Sequence, residues 1–162
     1  MTGRILPFTL ILAAAFGFAA SAQQRRGAFD IDSYRIELAV EPSQQTLSQR
    51  TAVTFTPSED RVQTAAFELH NSLNVLGVAD ASGQALQTNR RFNEHIVEVY
   101  FPQPLERGKP VTITFQISGR LGGEEESPIY GITFAAIKSD HAWLLYPARW
   151  FPVSGYTTDR YQ

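Results

Sequence analysis

The chain's three histidines, His70, His95 and His141, stand far apart, so no two share the i,i+4 spacing that sets a pair of imidazoles on one helical face. A helical zinc motif is therefore absent. A strand-borne site could use scattered ligands, but each of these histidines reads as a surface or strand-end residue. Ser139-Asp140-His141 contains the residue types of a hydrolytic triad. Neighbours in an extended chain point to opposite sides, however, and cannot form the relay of hydrogen bonds that activates a serine. No Gly-x-Ser-x-Gly elbow is present. Glu124-Glu125-Glu126 follows Gly122-Gly123 but lacks the alternating oxygen ligands of a calcium loop, and it reads as a solvated loop. With zero cysteines, thiolate chemistry, disulfides, iron–sulfur clusters and cysteine-ligated zinc are excluded. No catalytic, cofactor-binding or metal-ligating residue is assigned.

The densest chemical signal is aromatic. Trp143, Tyr146, Trp150, Phe151, Tyr156 and Tyr161 lie within 19 residues and include both tryptophans of the chain. Such density suits a core wedge, a sugar-stacking platform or a surface meant for another domain. Arg149 sits among these rings and would be costly to bury without a carboxylate partner.

The elements that must position these groups read as strands. Residues 33–40 place Tyr34, Ile36, Leu38 and Val40 on one face and Arg35 and Glu37 on the other. Residues 47–55 repeat the pattern through Leu47, Thr51, Val53 and Phe55, with Gln49 the exception. Residues 95–101 set Val97, Val99 and Phe101 opposite Ile96, Glu98 and Tyr100, and 111–117 alternate apolar residues with Thr112, Thr114 and Gln116. Period two with one polar face marks half-buried antiparallel strands. Weaker candidates are 65–70, 73–78, 85–90, 130–137 and 142–146. Turn signals separate them at residues 41–43, 57–60, 82–83, 107–110 and 122–123. No 3.6-residue pattern persists for three turns. Eight or nine short strands predict an all-β antiparallel sandwich.

Composition sets the outer limits. The chain has 162 residues, of which 43% are hydrophobic and 19% charged, with a formal net charge of -2. That excludes a disordered chain and a multispanning membrane protein. It also argues against a nucleic-acid partner, which needs a concentrated basic face. Arg4, an apolar run of about 14 residues from Ile5 to Phe18, and Ala20-Ser21-Ala22 before Gln23 have the layout of a secretory signal peptide. The run is shorter than the roughly 20 residues of a membrane-crossing helix. The expected organisation is a signal peptide at 1–22, a short mature segment at 23–32 and one β domain at 33–162. The mature chain is expected to be exported, periplasmic or secreted, with no stable membrane span after cleavage.

Tyr146-Pro147-Ala148-Arg149-Trp150-Phe151-Pro152 resembles the Ala-Arg-x-x-Phe-Pro segment of the aminopeptidase N and leukotriene hydrolase family of zinc peptidases, with one residue fewer between Arg and Phe. The upstream order of elements is similar to that family's N-terminal β-sandwich, or saddle, domain. Tyr34-x-Ile36-x-Leu38, Val53-x-Phe55 and Phe67-x-Leu69 come first, then the Pro104-Leu105-x-x-Gly108 turn, a Val-x-Ile-x-Phe strand and Gly119. The likeness covers about residues 30–160. It implies a sandwich of eight or nine strands, incomplete at its C-terminal end, belonging to a protein whose zinc lies in a following catalytic domain. The family's Gly-x-Met-Glu-Asn strand and His-Glu-x-x-His ligands are not in this sequence. The resemblance therefore implies no catalytic activity for this chain alone, and zinc only for a longer parent. Family members place a Gln or Glu about five residues before the Arg, to bind the substrate's amino group. Leu144 stands there, and an aliphatic side chain cannot accept a hydrogen bond from an ammonium.

Two roles follow for the aromatic stretch. As a domain interface, Arg149, Trp150, Phe151 and Tyr156 would pack on the catalytic domain and help frame its cleft, with Arg149 as anchor. Alternatively, Arg149 is a surface arginine stacked on Trp150. The other functional readings are a stand-alone secreted sandwich that binds carbohydrate on an aromatic surface, and a structural or adhesive module.

Overall fold

The computed structural model describes residues 28–123 and 132–154, and within them the chain is all β. Nine strands follow in order: β1 (Phe29–Glu41), β2 (Thr46–Pro57), β3 (Val62–Glu68), β4 (Leu73–Asp80), β5 (Gln87–Arg91), β6 (Ile96–Leu105), β7 (Val111–Arg120), β8 (Ala135–Ile137) and β9 (Ala142–Leu144). A four-stranded sheet runs β1-β2-β7-β4, a three-stranded sheet runs β3-β6-β5, and β8 and β9 form a separate hairpin. All pairings are antiparallel. The expected strands are all found, but the one expected at 130–137 is only Ala135–Ile137 and the one at 142–146 ends at Leu144. Residues 130 and 131 lie outside the described residues, as do the expected signal peptide, the Glu124–Glu126 run, Tyr156 and Tyr161.

Alternation builds the core between the two larger sheets. Val53 and Phe55 of β2 and Ile113, Phe115 and Ile117 of β7 face inward and are buried. Phe67 of β3 and Val97 and Val99 of β6 answer them from the other sheet. The Phe67 ring meets Phe115 edge-on at 5.3 Å, and Phe29, Phe55 and Phe101 extend the cluster. Phe29 places β1 four residues ahead of the predicted start. A bulge between Ile31 and Ser33 shifts the inward parity from Phe29 and Ile31 to Tyr34 and Ile36, which breaks the alternation a sequence reading follows.

Local chemistry closes the turns. Between β1 and β2, the Glu41 carboxylate accepts from the Ser43 amide at 3.3 Å and its hydroxyl at 2.6 Å. Pro42 opens a single 3-10 turn that ends on Gln45 in the left-handed region. Between β4 and β5, Asp80 accepts from the amides of Ser82 and Gln84 at 2.8 and 3.0 Å and from the Ser82 hydroxyl at 2.6 Å. These bonds, the hydroxyl's first, hold its carboxyl below the usual range.

The two sheets are unequal in width, and β1 overhangs. Its inward residues Ile36, Leu38 and Val40 lie opposite Thr51, Gln49 and Leu47, which are buried. Leu38 and Val40 themselves remain 39% and 36% exposed.

Candidate functional site

The segment carrying the family-like motif is a clip fastened to both sheets. Leu145 leads into a 3-10 turn at Tyr146–Ala148, opened by Pro147 and closed by Arg149 at φ 52°. On the four-stranded sheet, the Gln49 side-chain amide donates to the Trp150 carbonyl at 2.5 Å. Thr51 donates to Gln49 Oε1 at 2.9 Å and so orients that amide. On the three-stranded sheet, the end of β3 takes over. The His70 amide donates to the Arg149 carbonyl at 2.9 Å, and Glu68 and Val153 exchange backbone hydrogen bonds at 2.6 and 2.9 Å. Arg149 Nε donates to Glu68 Oε2 at 2.6 Å, with both side chains about one-fifth exposed. Glu68 is the carboxylate partner that a half-buried arginine requires.

Phe151 and Trp150 fill the clip, while Tyr146 remains exposed. Phe151 is buried and meets Tyr34 edge-on at 5.1 Å, Trp150 at 4.7 Å and Tyr146 at 5.8 Å. Trp150 packs against the core, and its indole Nε1 is buried without a hydrogen-bond partner among the described residues. The rings of Tyr34, Trp150 and Tyr146 stand at 81°, 67° and 58° to that of Phe151, so none of them extends the Phe151 plane. Burial pushes the Tyr34 phenol up to about 12, with Tyr146 adding to the rise and a hydrogen bond at the Ser154 backbone opposing it.

Beneath the clip, Arg90 ties the β3–β4 turn. Its guanidinium donates to the carbonyls of Leu69 at 2.7 Å, His70 at 2.9 Å and His95 at 3.3 Å, and to Asn71 Oδ1 at 3.3 Å. Burial lowers its pKa, since the charged form loses solvation. His70 is buried rather than on the surface, and its Nδ1 accepts from the Ser72 amide at 3.1 Å. His95 ends a 3-10 turn.

Ser139, Asp140 and His141 occupy the β8–β9 turn, not an extended stretch, which the Lys138 amide closes by donating to the His141 carbonyl at 2.8 Å. The turn lets Asp140 reach His141 Nδ1 at 2.7 Å, a contact the extended-chain argument did not foresee. His141 stacks on Trp143 at 5.4 Å, Ser139 bonds to neither, and the pair is exposed, so no relay to a serine exists. Among the described residues, no group of three His, Asp or Glu side chains could hold a metal ion. No helix of the described residues is long and apolar enough to cross a membrane.

Gln49 and Glu68 are the residues that sequence reasoning did not assign to the site. Gln49 did leave a trace, as the exception to the inward pattern of β2. Glu68 left none, because its partner lies 81 residues away.

No family model matches the chain, and no curated protein matches it. Solved structures do. An M1 zinc metallopeptidase of Deinococcus radiodurans, a mutant bound to a Tyr-Ser-Ala substrate, aligns at TM-score 0.64 and 21% identity over 79% of this chain and 29% of its own. The same mutant in a second structure gives 0.63 at 20% identity over 79% and 29%. A further structure of that organism's enzyme gives 0.59 at 18% identity over 80% and 29%. The fold is thus an all-β fold found within M1 zinc metallopeptidases. This chain spans less than a third of the length of the metallopeptidases it matches.

Proposed function

We propose that the chain is the non-catalytic N-terminal β domain of an exported zinc aminopeptidase-like protein. The carrying observation is the shared fold over about four-fifths of this chain and under a third of the metallopeptidase chains. The resemblance of Tyr146–Pro152 to the peptidase segment supports the same reading, because that stretch is the clip that joins both sheets. Among the described residues no group of His, Asp and Glu side chains fits zinc, and this reading gives none of them a step of metal chemistry. Its work is positional. The clip gives a rigid base from which Leu145 and Tyr146, 52% and 42% exposed, reach toward a catalytic domain. In this reading Arg149, Trp150, Phe151 and Tyr156 belong to the side of this chain that meets the catalytic domain and help frame the substrate cleft. Export is proposed from the signal-like residues 1–22.

Reading the native gene past the codon for Gln162 tests the proposal. A continuous frame carrying His-Glu-x-x-His is expected, with zinc-dependent aminopeptidase activity in the longer product and none in this chain. A stop codon there would overturn it.

A further inference from the structure

Strand β1 stands at the margin of the four-stranded sheet, and no described strand pairs with its outer side. Edge strands are commonly protected by charged side chains, proline or a bulge. The bulge of β1 lies at Ile31/Ser33, and from Tyr34 to Glu41 its charges are Arg35, Glu37 and Glu41, which are of both signs and can pair with those of another strand. Along the same stretch Leu38 and Val40 are more than one-third exposed on the face that β2 buries.

We propose that this edge pairs with the β1 edge of a second copy of the chain, antiparallel about a two-fold axis at Leu38. A two-fold contact must be self-complementary, and matching inner face to inner face requires the axis to fall on a residue. An axis at Glu37 sets that carboxylate against its own copy, and an axis at Ala39 sets Glu37 against Glu41. An axis at Ile36 carries Val40 to Asp32, across the bulge. The axis at Leu38 places Arg35 opposite Glu41 at both ends of the outer face. On the inner face it places Ile36 opposite Val40 and Leu38 against its copy. Opposite charges and apolar pairs directly across an antiparallel ladder both favour association. Arg35 is available for this, since its present partner Glu37, at 3.1 Å, forms an exposed pair of small worth. The contact joins two four-stranded sheets into one of eight, sets Leu38 and Val40 beside apolar neighbours, and leaves no free β1 edge.

Sedimentation equilibrium of residues 23–162, without the signal-like leader, over a range of concentrations tests the pairing. A monomer–dimer equilibrium is expected. Leu38→Lys, at an exposed position, is expected to weaken it roughly tenfold or more, with unchanged circular dichroism. Arg35→Glu sets like charges opposite each other and is expected to weaken it similarly, while Arg35→Lys keeps it. A monomer at every concentration, a dimer indifferent to Leu38→Lys, or an Arg35→Glu dimer as tight as that of Arg35→Lys would each overturn the proposal.

Discussion

Glu68 holds Arg149 twice over: its carboxylate accepts from Arg149 Nε at 2.6 Å, and its backbone is bridged to Val153, four residues past the arginine. The side-chain pair and the backbone bridge support each other. The pair aims the 3-10 turn at the end of β3, and the bridge fixes the distance over which the pair forms. Because both side chains are about one-fifth exposed, the pair is neither fully screened nor fully desolvated.

A double-mutant cycle of Glu68→Gln and Arg149→Met should therefore show coupling of about 1–2 kcal/mol in urea unfolding. Additive single effects would mean that the backbone bridge alone carries the clip.

Gln49→Leu should cost about 1–3 kcal/mol, since it strands the Trp150 carbonyl and the Thr51 hydroxyl in a closed environment. The tryptophan emission should shift as Trp150 loosens. Unchanged emission and stability would show that the bond from Gln49 contributes nothing.

Gly119→Ala should destabilise the fold by about 2 kcal/mol or more. A Cβ there would lie 2.3 Å from the Ser72 carbonyl oxygen and 2.9 Å from Leu73 Cα, and these are backbone atoms that cannot rotate away. Wild-type thermal stability in this variant would contradict the close approach of β7 to the start of β4.

Alkaline stability should depend on Tyr34. In the unfolded chain its phenol ionises near 10.0, whereas in the fold it keeps its proton to about 12. The folded state thus binds more protons between those values, so the contribution is complete below pH 10 and is lost as pH rises toward 12. Tyr34→Phe should flatten the fall in melting temperature across that window. An equally steep fall in the variant would place the sensitive group elsewhere.

What could be read from the sequence was whatever local periodicity carries. The parity of β2, β6 and β7 is plain because Val53, Phe55, Val97, Val99, Ile113 and Phe115 all face one core. The early half of β1 was hidden by its bulge, which moves the inward register by one residue. The Asp140–His141 contact was missed because four residues form a turn where alternation would set the two side chains apart. The clip's aromatic content was legible, but its partners were not. Pairing Glu68 with Arg149 is a tertiary fact, and nothing within a few residues of either announces it. The inward Gln49 stood out as an irregularity in β2, and its purpose shows only once the Trp150 carbonyl is placed beside it.

The bond from Gln49 to Trp150 also orders events in time. It spans 101 residues, so Gln49 leaves the ribosome long before the carbonyl it will hold. The β1–β2 hairpin can form early from local pairing, yet β2 must wait for β7, and the clip must wait for nearly everything else. Long closures add only a slowly growing entropic cost, but topologies built from such distant pairings fold slowly. A late-made turn that locks an early-made sheet leaves that sheet open until Trp150 has been synthesised, and only then does this part of the chain gain its tertiary cooperativity.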